Sequence, residues 1–563
     1  MKRAISVMLS LLLALGAMGT ALAWGPDDLV ATLGDFSAYG AGDIEKYEEP
    51  IDMTIGISIN LNKYFPEGDS YADNVWSRLY KEALGIKLHL AFTTSDLADK
   101  VNTMIAAGDI PDVLQVSKAQ LALLAESGLI RDDLYEVYEQ HAGAGMRELV
   151  QGVGGKAAIE SCTFDGKMMA LPMMDTSSGE ATPVLWLRTD WLEKLGLENP
   201  KNWEDLKHIM VAFATQDPDG NGVDDTYGIV FQKSLWANAM MMDGFFNIFG
   251  AYPENNFWVD DPENEGRVMY GAFAPEVKAG LAQLHELYAQ GVLHPEFAIM
   301  DTAAASAVYA SGKCGVAIAV PSATNQPGLL AACVENDPAA DWRALPIPGL
   351  DGETTRVTAT YPVRNYLVFR KDFEHPEAIV KMINYRYQMC FSDGATQEIY
   401  DEYIEDSSGT NAYTAFSIYP WGYFMPAVKN ERAATIIAGG MKADDPAMPN
   451  YATAFARWCE AYEAGERANW RWYRFFGPEG GHQVTSRYIA EDLYYLNRFF
   501  GPDTPTMTEN MSLITDLVSE MIVKIVMGEA PLDEFERYRE KADALGLEQI
   551  TDEVNAWLAQ NQI

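Results

Sequence analysis

Between Met53 and Val116 the chain alternates two hydrophobic periods. MTIGISIN (Met53–Asn60) alternates as a strand does, residues 72–83 follow a helical period stopped by Gly85, and IKLHLAF (Ile86–Phe92) is a second strand. Ser95 opens a helix reaching Ala107, and PDVLQV (Pro111–Val116) is a third strand. Such a run has few solutions. Parallel strands need long crossovers, so the helices must cover the faces of a parallel sheet. The pattern then restarts. Met168–Met173 and Pro183–Arg188 read as strands, residues 189–196 as a helix, and Asn202 caps another that leads to an acidic loop. Helices near 236–248, 274–290 and 301–311 follow, the last ended by Gly312; Cys314–Val320 and Tyr361–Arg370 are strands, and a helix covers Pro376–Cys390. Beyond residue 430 the pattern is helical without strands. The fold class this predicts is α/β, with two lobes and a helical C-terminal extension.

At 563 residues the chain is long enough for two cores, and its hydrophobic content of 48% supports complete folding. A net charge of −40, with no lysine- and arginine-rich run, excludes nucleic acid and anionic membrane surfaces as partners. Lys2 and Arg3 precede an apolar run from Ala4 to about Leu15, and Ala21-Leu22-Ala23 is a small-x-small site before Trp24. Residues 1–23 are therefore expected to be a signal peptide and residues 24–50 a flexible lead-in. The cysteines, Cys162, Cys314, Cys333, Cys390 and Cys459, show no zinc spacing; a Cys314–Cys333 disulfide is open, and buried thiols are the reading for most of them.

DPDGNGVDDTYG, residues 217–228, opens as a calcium loop does: Asp217, Asp219 and Asn221 alternate before Gly222. A hard cation needs six to eight oxygens on a small sphere, so alternate side chains point inward while glycine lets the chain turn. The predicted metal set is Asp217, Asp219, Asn221, the Val223 carbonyl and Asp225, holding one structural Ca2+. Gly228 stands where an EF-hand carries its bidentate glutamate, which argues against a helix-loop-helix sensor. The alternative is a metal-free turn in which the aspartates bond to nearby amides.

No catalytic signature survives inspection. There is no H-E-x-x-H and no G-x-S-x-G, and GVGGKA (Gly152–Ala157) lacks the hydroxyl and spacing of a phosphate loop. A sugar-binding cleft, by contrast, needs aromatic rings for the flat faces of sugars and polar side chains for their hydroxyls. Aromatics outside the core periodicity are Trp236, Trp421, Tyr423, Trp470 and Trp472; Asp69, Tyr71 and Arg364 are the other ligand candidates. Core packing is the competing role for each tryptophan. Trp186, Trp191 and Trp203 sit inside regular patterns and belong to the core. Leu513, Leu517, Met521 and Ile525 form a stripe expected to pack against the second lobe.

Several segments, in order, resemble extracellular solute-binding proteins of carbohydrate ABC transporters, close to the LplA-like lipoprotein group (solute-binding protein family 1): KVNTMIAAGDIPDV (Lys100–Val113), FDGKMMALP (Phe164–Pro172), LWLRTDWLEKLGL (Leu185–Leu197), the acidic loop, YASGKCGVAI (Tyr309–Ile318), PTMTEN (Pro505–Asn510), IVMGEAPLDEFERY (Ile525–Tyr538) and ITDEVNAW (Ile550–Trp557). The group usually carries a lipobox cysteine, which this chain lacks. The resemblance implies a periplasmic-binding-protein type II fold with an interlobe cleft, and calcium on the matching loop. By analogy, lobe 1 comprises 51–178 and 359–418, and lobe 2 comprises 179–358 and 419–563 with the C-terminal helices. The function implied is a monomeric, non-enzymatic subunit of an importer that binds an oligosaccharide and delivers it to permease subunits, from the periplasm or the extracellular face of the cytoplasmic membrane. The alternative is a secreted glycan-binding adhesin or a glycan-degrading enzyme with an aromatic cleft.

Overall fold

The computed structural model describes residues 42–58, 68–151, 155–174, 181–236, 240–326, 328–359, 363–392, 395–403 and 429–560. Nine strands build two main sheets. In the first are β1 (Ile51–Ser58), β2 (Ile86–Thr94), β3 (Val113–Val116), β4 (Leu171–Met174) and, from much later in the chain, β9 (Val363–Phe369). Their order is β2-β1-β3-β9-β4, with β1 parallel to β2 and β3, and β9 antiparallel to β3 and β4. The second sheet has β5 (Val184–Arg188), β6 (Tyr227–Ile229), β7 (Cys314–Ala319) and β8 (Trp342–Leu345) in the order β8-β5-β7-β6. Here β5 runs against β7 and β8, while β6 is parallel to β7.

Local chemistry explains the first units. The Asn74 side chain accepts from the amides of Trp76 and Ser77, opening the helix Val75–Leu84, and Gly85 closes it at φ 74°. Trp76, Tyr80 and Leu84, four residues apart, turn one face to the sheet. The next helix, Leu97–Ala107, is capped by Asp96 and not by Ser95: the carboxylate accepts from the Asp99 amide at 3.1 Å.

Two cores result. The first draws on residues 51–174, 366–391 and 433–476, the second on 184–359 and 470–558. The expected assignment of everything after 419 to the second lobe is therefore corrected. The helices Lys429–Ala438 and Asn450–Glu463 bury Ala433, Ala434, Tyr451 and Phe455 in the first core. The helix Trp470–Phe476 is shared, Trp470 entering the second core and Phe475 and Phe476 the first. The last passage between cores lies there, because WRWYRFF is apolar on two faces.

Three further expectations change. Tyr494–Leu496 is a strand, parallel to Val357–Ala359, although residues beyond 430 had shown only helical periods; three residues are too few to register a period. Residues 42–50 of the predicted flexible lead-in are clamped to the first lobe. The Tyr47 hydroxyl donates to Glu377 at 2.6 Å, while His141 and Lys381 bind Asp43 at 2.6 and 3.0 Å. In the helix Pro505–Val526 the buried residues are Thr506, Met507, Met511, Ile514, Val518, Met521, Ile522, Ile525 and Val526, whereas Leu513 is 53% exposed. Fourfold spacing drifts about 40° per step around a 3.6-residue helix, which carries Leu513 off the face. The five cysteines are buried and free, so Cys314 and Cys333 are thiols here. Among the described residues no helix is long and apolar enough to cross a membrane.

Candidate ligand cleft and acidic loop

Strand direction locates the cleft. β1, β2 and β3 end on the side where β4 ends and β9 begins, since Val363 pairs with Met174 and Tyr366 with Val116. The chain leaves that edge through residues 175–183 and returns after Ala359. β5 starts at the same junction. β7 and β8 run against it and β6 follows β7, so these three also end there, Ala319 opposite Val184 and Leu345 opposite Leu185. The ends of β1, β3, β6, β7 and β8 therefore face the junction between lobes, where open α/β sheets place ligands.

The candidate ligand residues divide on this geometry. Asp69 and Tyr71 follow β1 on the junction side; Asp69 is paired with Arg78 at 2.9 Å, and Tyr71 packs partly against the first core. Trp236 lies beyond β6, half-buried, its indole N–H donating to Asn255 at 3.0 Å. Arg364 is the second residue of β9, at the junction end; its side chain, and all of Trp421 and Tyr423, lie outside the described residues. Trp470 is only 3% exposed, its ring covered by the second core. Trp472 stacks on Trp458 with centroids 4.4 Å apart, so one of its faces is already occupied.

One cross-lobe contact was missed from the sequence. Lys118, in the first turn of the helix Lys118–Ser127, sets its ammonium 5.9 Å from the Phe499 ring of the second lobe. Burial pushes this amine down to about 7, against the opposing pull of Asp503. A lysine at the positive end of a helix is electrostatically misplaced, and that was the available signal.

The second lobe encloses two acids, Asp243 buried and Glu254 half-buried. Asp243, at the start of the helix Met242–Asn247, is 2% exposed, and its Oδ1 has no hydrogen-bond partner among the described residues. Burial pushes its carboxyl up to about 7, against backbone donors and the Thr358 hydroxyl. Glu254 is pushed up to about 8 by burial and then by the charge of Asp243. The Asn247 amide ties the same helix to Thr358 at 2.9 Å, beside the return passage to β9.

The acidic loop is a tight turn with left-handed φ at Asp217 (48°), Gly220 (75°) and Gly222 (77°). Asp217 accepts from the amides of Asn221 and Gly222 at 3.0 and 3.1 Å. The Asn221 amide donates to Asp219 at 2.8 Å and Asp225 at 3.2 Å, and its oxygen accepts from the Val223 amide at 2.6 Å. Burial, and then Asp217 itself, push Asp219 up, outweighing the Asn221 amide. Two lysines attend the loop. Lys313 pairs with Asp225 at 2.7 Å, and Lys194 donates to the Pro218 carbonyl at 2.6 Å.

These groups fit a hard cation chemically, all being oxygen donors on one turn, with Asp219 and Asp225 already aimed at a common point held by the Asn221 amide. Among the described residues, however, no three carboxylates, imidazoles or thiols converge as a ready-made metal cluster. Asp225 leans instead to Lys313. Position twelve cannot contribute: Gly228 lies within β6, where a Cβ would come 2.5 Å from Val292 and 2.6 Å from the Met210 carbonyl oxygen.

Two α/β lobes with their strand ends facing one junction, and a late strand inserted antiparallel into the first sheet, define a type II binding-protein fold. Residues 62–387, more than half of the sequence, match the bacterial extracellular solute-binding protein family, and the chain belongs to it. Lipoprotein LipO of Bacillus subtilis (strain 168) is 34% identical over 141 residues, 25% of this chain and 27% of that protein. The fructooligosaccharide ABC transporter substrate-binding protein FusA of Streptococcus pneumoniae (serotype 4, strain TIGR4) is 27% identical over 233 residues, 39% of this chain and 41% of that one. The chain thus spans well under two thirds of the length of these curated relatives. Among solved structures, a solute-binding protein described as HMO-binding and ABC-transporter-associated, from Bifidobacterium longum infantis, aligns with TM-score 0.57 at 17% identity, covering 91% of this chain and 99% of that one. An EF-hand mutant of FusA bound to fructo-nystose aligns with TM-score 0.51 at 16% identity, covering 91% and 99%.

Proposed function

We propose that this protein is the substrate-binding subunit of an ABC importer, which binds an oligosaccharide reversibly between its lobes and delivers it to membrane permease subunits from the outer side of the cytoplasmic membrane. The observation that carries this reading is the shared junction, where the strand ends of both sheets bring Asp69 and Tyr71 of one lobe and Trp236 of the other to the same side of the molecule. An aromatic ring for a sugar face and carboxylate or phenol groups for its hydroxyls are what such a ligand requires. The names of FusA and of the HMO-binding protein support oligosaccharide as the ligand class. The function is binding without turnover.

Incubation of purified protein with a panel of neutral and acidic oligosaccharides tests this reading. Recovery of intact sugar together with a raised melting temperature is the expected result. Cleavage products, or a panel without any stabilising member, sink it. For the acidic loop the same proposal includes one structural Ca2+ held by Asp217, Asp219, Asn221, the Val223 carbonyl and Asp225. Its support is the all-oxygen donor set, together with the EF-hand for which the FusA mutant is named. Bound calcium supplies positive charge that holds the loop's carboxylates together. The protein's part is to present them on a turn that Asp217 closes through two backbone amides.

A further inference from the structure

We infer that Lys313 is the loop's resident counter-ion, whose ammonium competes with calcium for Asp225 and so sets how tightly this protein binds the metal. The inference rests on the calcium reading above. Its own support is the way each oxygen of Asp225 is engaged: Oδ2 by the Lys313 ammonium at 2.7 Å and Oδ1 by the Asn221 amide at 3.2 Å. Neither oxygen is idle. A cation that takes Asp225 as ligand must displace at least one of these donors, and Asn221 can turn its amide oxygen inward only by giving up the Val223 amide at 2.6 Å.

Lys313 is also placed by the fold. Its carbonyl accepts from the Tyr227 amide at 2.8 Å, in register with the β6–β7 pairing of Tyr227 with Cys314, so its backbone is fixed next to the loop's exit. The side chain is 44% exposed and Asp225 28%, which leaves the ammonium room to swing into solvent when displaced. Lys194 serves as an internal contrast. It brings the same charge to the same loop, but it grips the Pro218 carbonyl, which is no member of the metal set. If the competition is for the ligand carboxylate, the two lysines should not be equivalent. If only the summed positive charge matters, they should be.

The experiment uses the full chain stripped with chelator, titrated with Ca2+ by calorimetry, with melting curves in chelator and in calcium. Lys313→Met is expected to bind calcium roughly tenfold more tightly at low salt, because the metal no longer has to break a charge-assisted contact on Asp225. Salt should shrink that gain as screening grows. Lys313→Gln, which keeps a donor for Asp225 without the charge, guards against a folding defect and should show most of the gain. Lys194→Met should change affinity by less than about threefold, an exposed pair's worth. Equal calcium affinity in the native protein and both Lys313 variants overturns the competition while leaving the calcium reading standing. Equal gains from Lys194→Met and Lys313→Met overturn it too, in favour of unspecific charge. Calcium uptake by the Lys313 variants alone supports it in its strongest form, and no uptake by any of the proteins at millimolar calcium removes the calcium reading and the inference together.

Discussion

Replacing Asp243 by asparagine should make the protein more stable at pH 8.5 while changing it little at pH 3. The carboxyl moves from an ordinary 3.8 in the unfolded chain to about 7 in the fold, because burial disfavours its charged form. That difference corresponds to about 4 kcal/mol between its two protonation states. The sign follows from proton counting. Between pH 4 and 7 the folded protein holds a proton that the unfolded chain has lost, so stability falls as pH rises through this window. Glu254, raised to about 8 partly by Asp243, extends the loss to slightly higher pH. The two shifts share one interaction, so they do not add. After relaxation, the variant is expected to gain about 2–3 kcal/mol at pH 8.5, within the range set by the single-group figure. Asparagine keeps an oxygen for the Thr358 hydroxyl and the backbone donors, and its amide N–H can occupy the place of the unpartnered Oδ1. Urea unfolding of both proteins at pH 3, 5, 7 and 8.5 is the assay. Parallel pH profiles would refute the reasoning, because they would mean that Asp243 is ionised in the fold at neutral pH and already stabilised by a cation or water.

The ties between the lobes can be tested in the same way. Asp341 accepts from Arg474 at 2.7 Å and Arg343 at 3.0 Å; burial pushes it up, but the two guanidiniums outweigh this and hold it below the usual carboxylate range. Arg474→Ala, which leaves Asp341 to Arg343 and Thr189, should cost about 1–2 kcal/mol above pH 4, and the penalty should fade as Asp341 protonates in acid, read by denaturant melts at pH 3 and 7. Trp236→Ala should weaken binding of whichever oligosaccharide stabilises the protein by roughly tenfold in titration calorimetry while lowering the melting temperature only slightly, since it removes a stacking face of some tens of Å2 from a half-buried ring. Trp470→Ala should do the reverse, destabilising by about 3–5 kcal/mol as a buried large-to-small change. Chelator should lower the melting temperature of the native protein, losing about 2.7 kcal/mol relative to a hundredfold excess of calcium over its dissociation constant, and Asp219→Ala should be indifferent to chelator; a native protein indifferent to it falsifies the calcium site.

Much of both lobes was legible in the sequence because the signals are local and mutually consistent. Gly85 ends a helix and the next residue starts β2; the Asn202 cap and the buried Trp186, Trp191 and Trp203 needed only periodicity to place. The errors lie where a residue's role depends on what arrives from elsewhere. Ser95 and Asp96 are both competent caps, and only the backbone geometry at Asp96 selects between them. The strand Tyr494–Leu496 exists because Val357–Ala359 comes to lie beside it, not because its three residues carry a period.

The candidate site divides along the same line. The acidic loop is written in twelve consecutive residues, so its donors could be named in advance, but its counter-ion could not, since Lys313 reaches it only through the pairing of β6 with β7. Trp470 and Trp472 read alike in NWRWYRFFG; a helix shared between two cores sends one ring into the second core and lays the other on Trp458. Single-chain composition has no means of separating them, because both are aromatic residues beside arginines. Strand polarity does separate the candidates. β5 starts and β6, β7 and β8 end at one junction, so Trp236, half-buried against the second core, follows β6 on that side, whereas Trp470 is covered by the core itself.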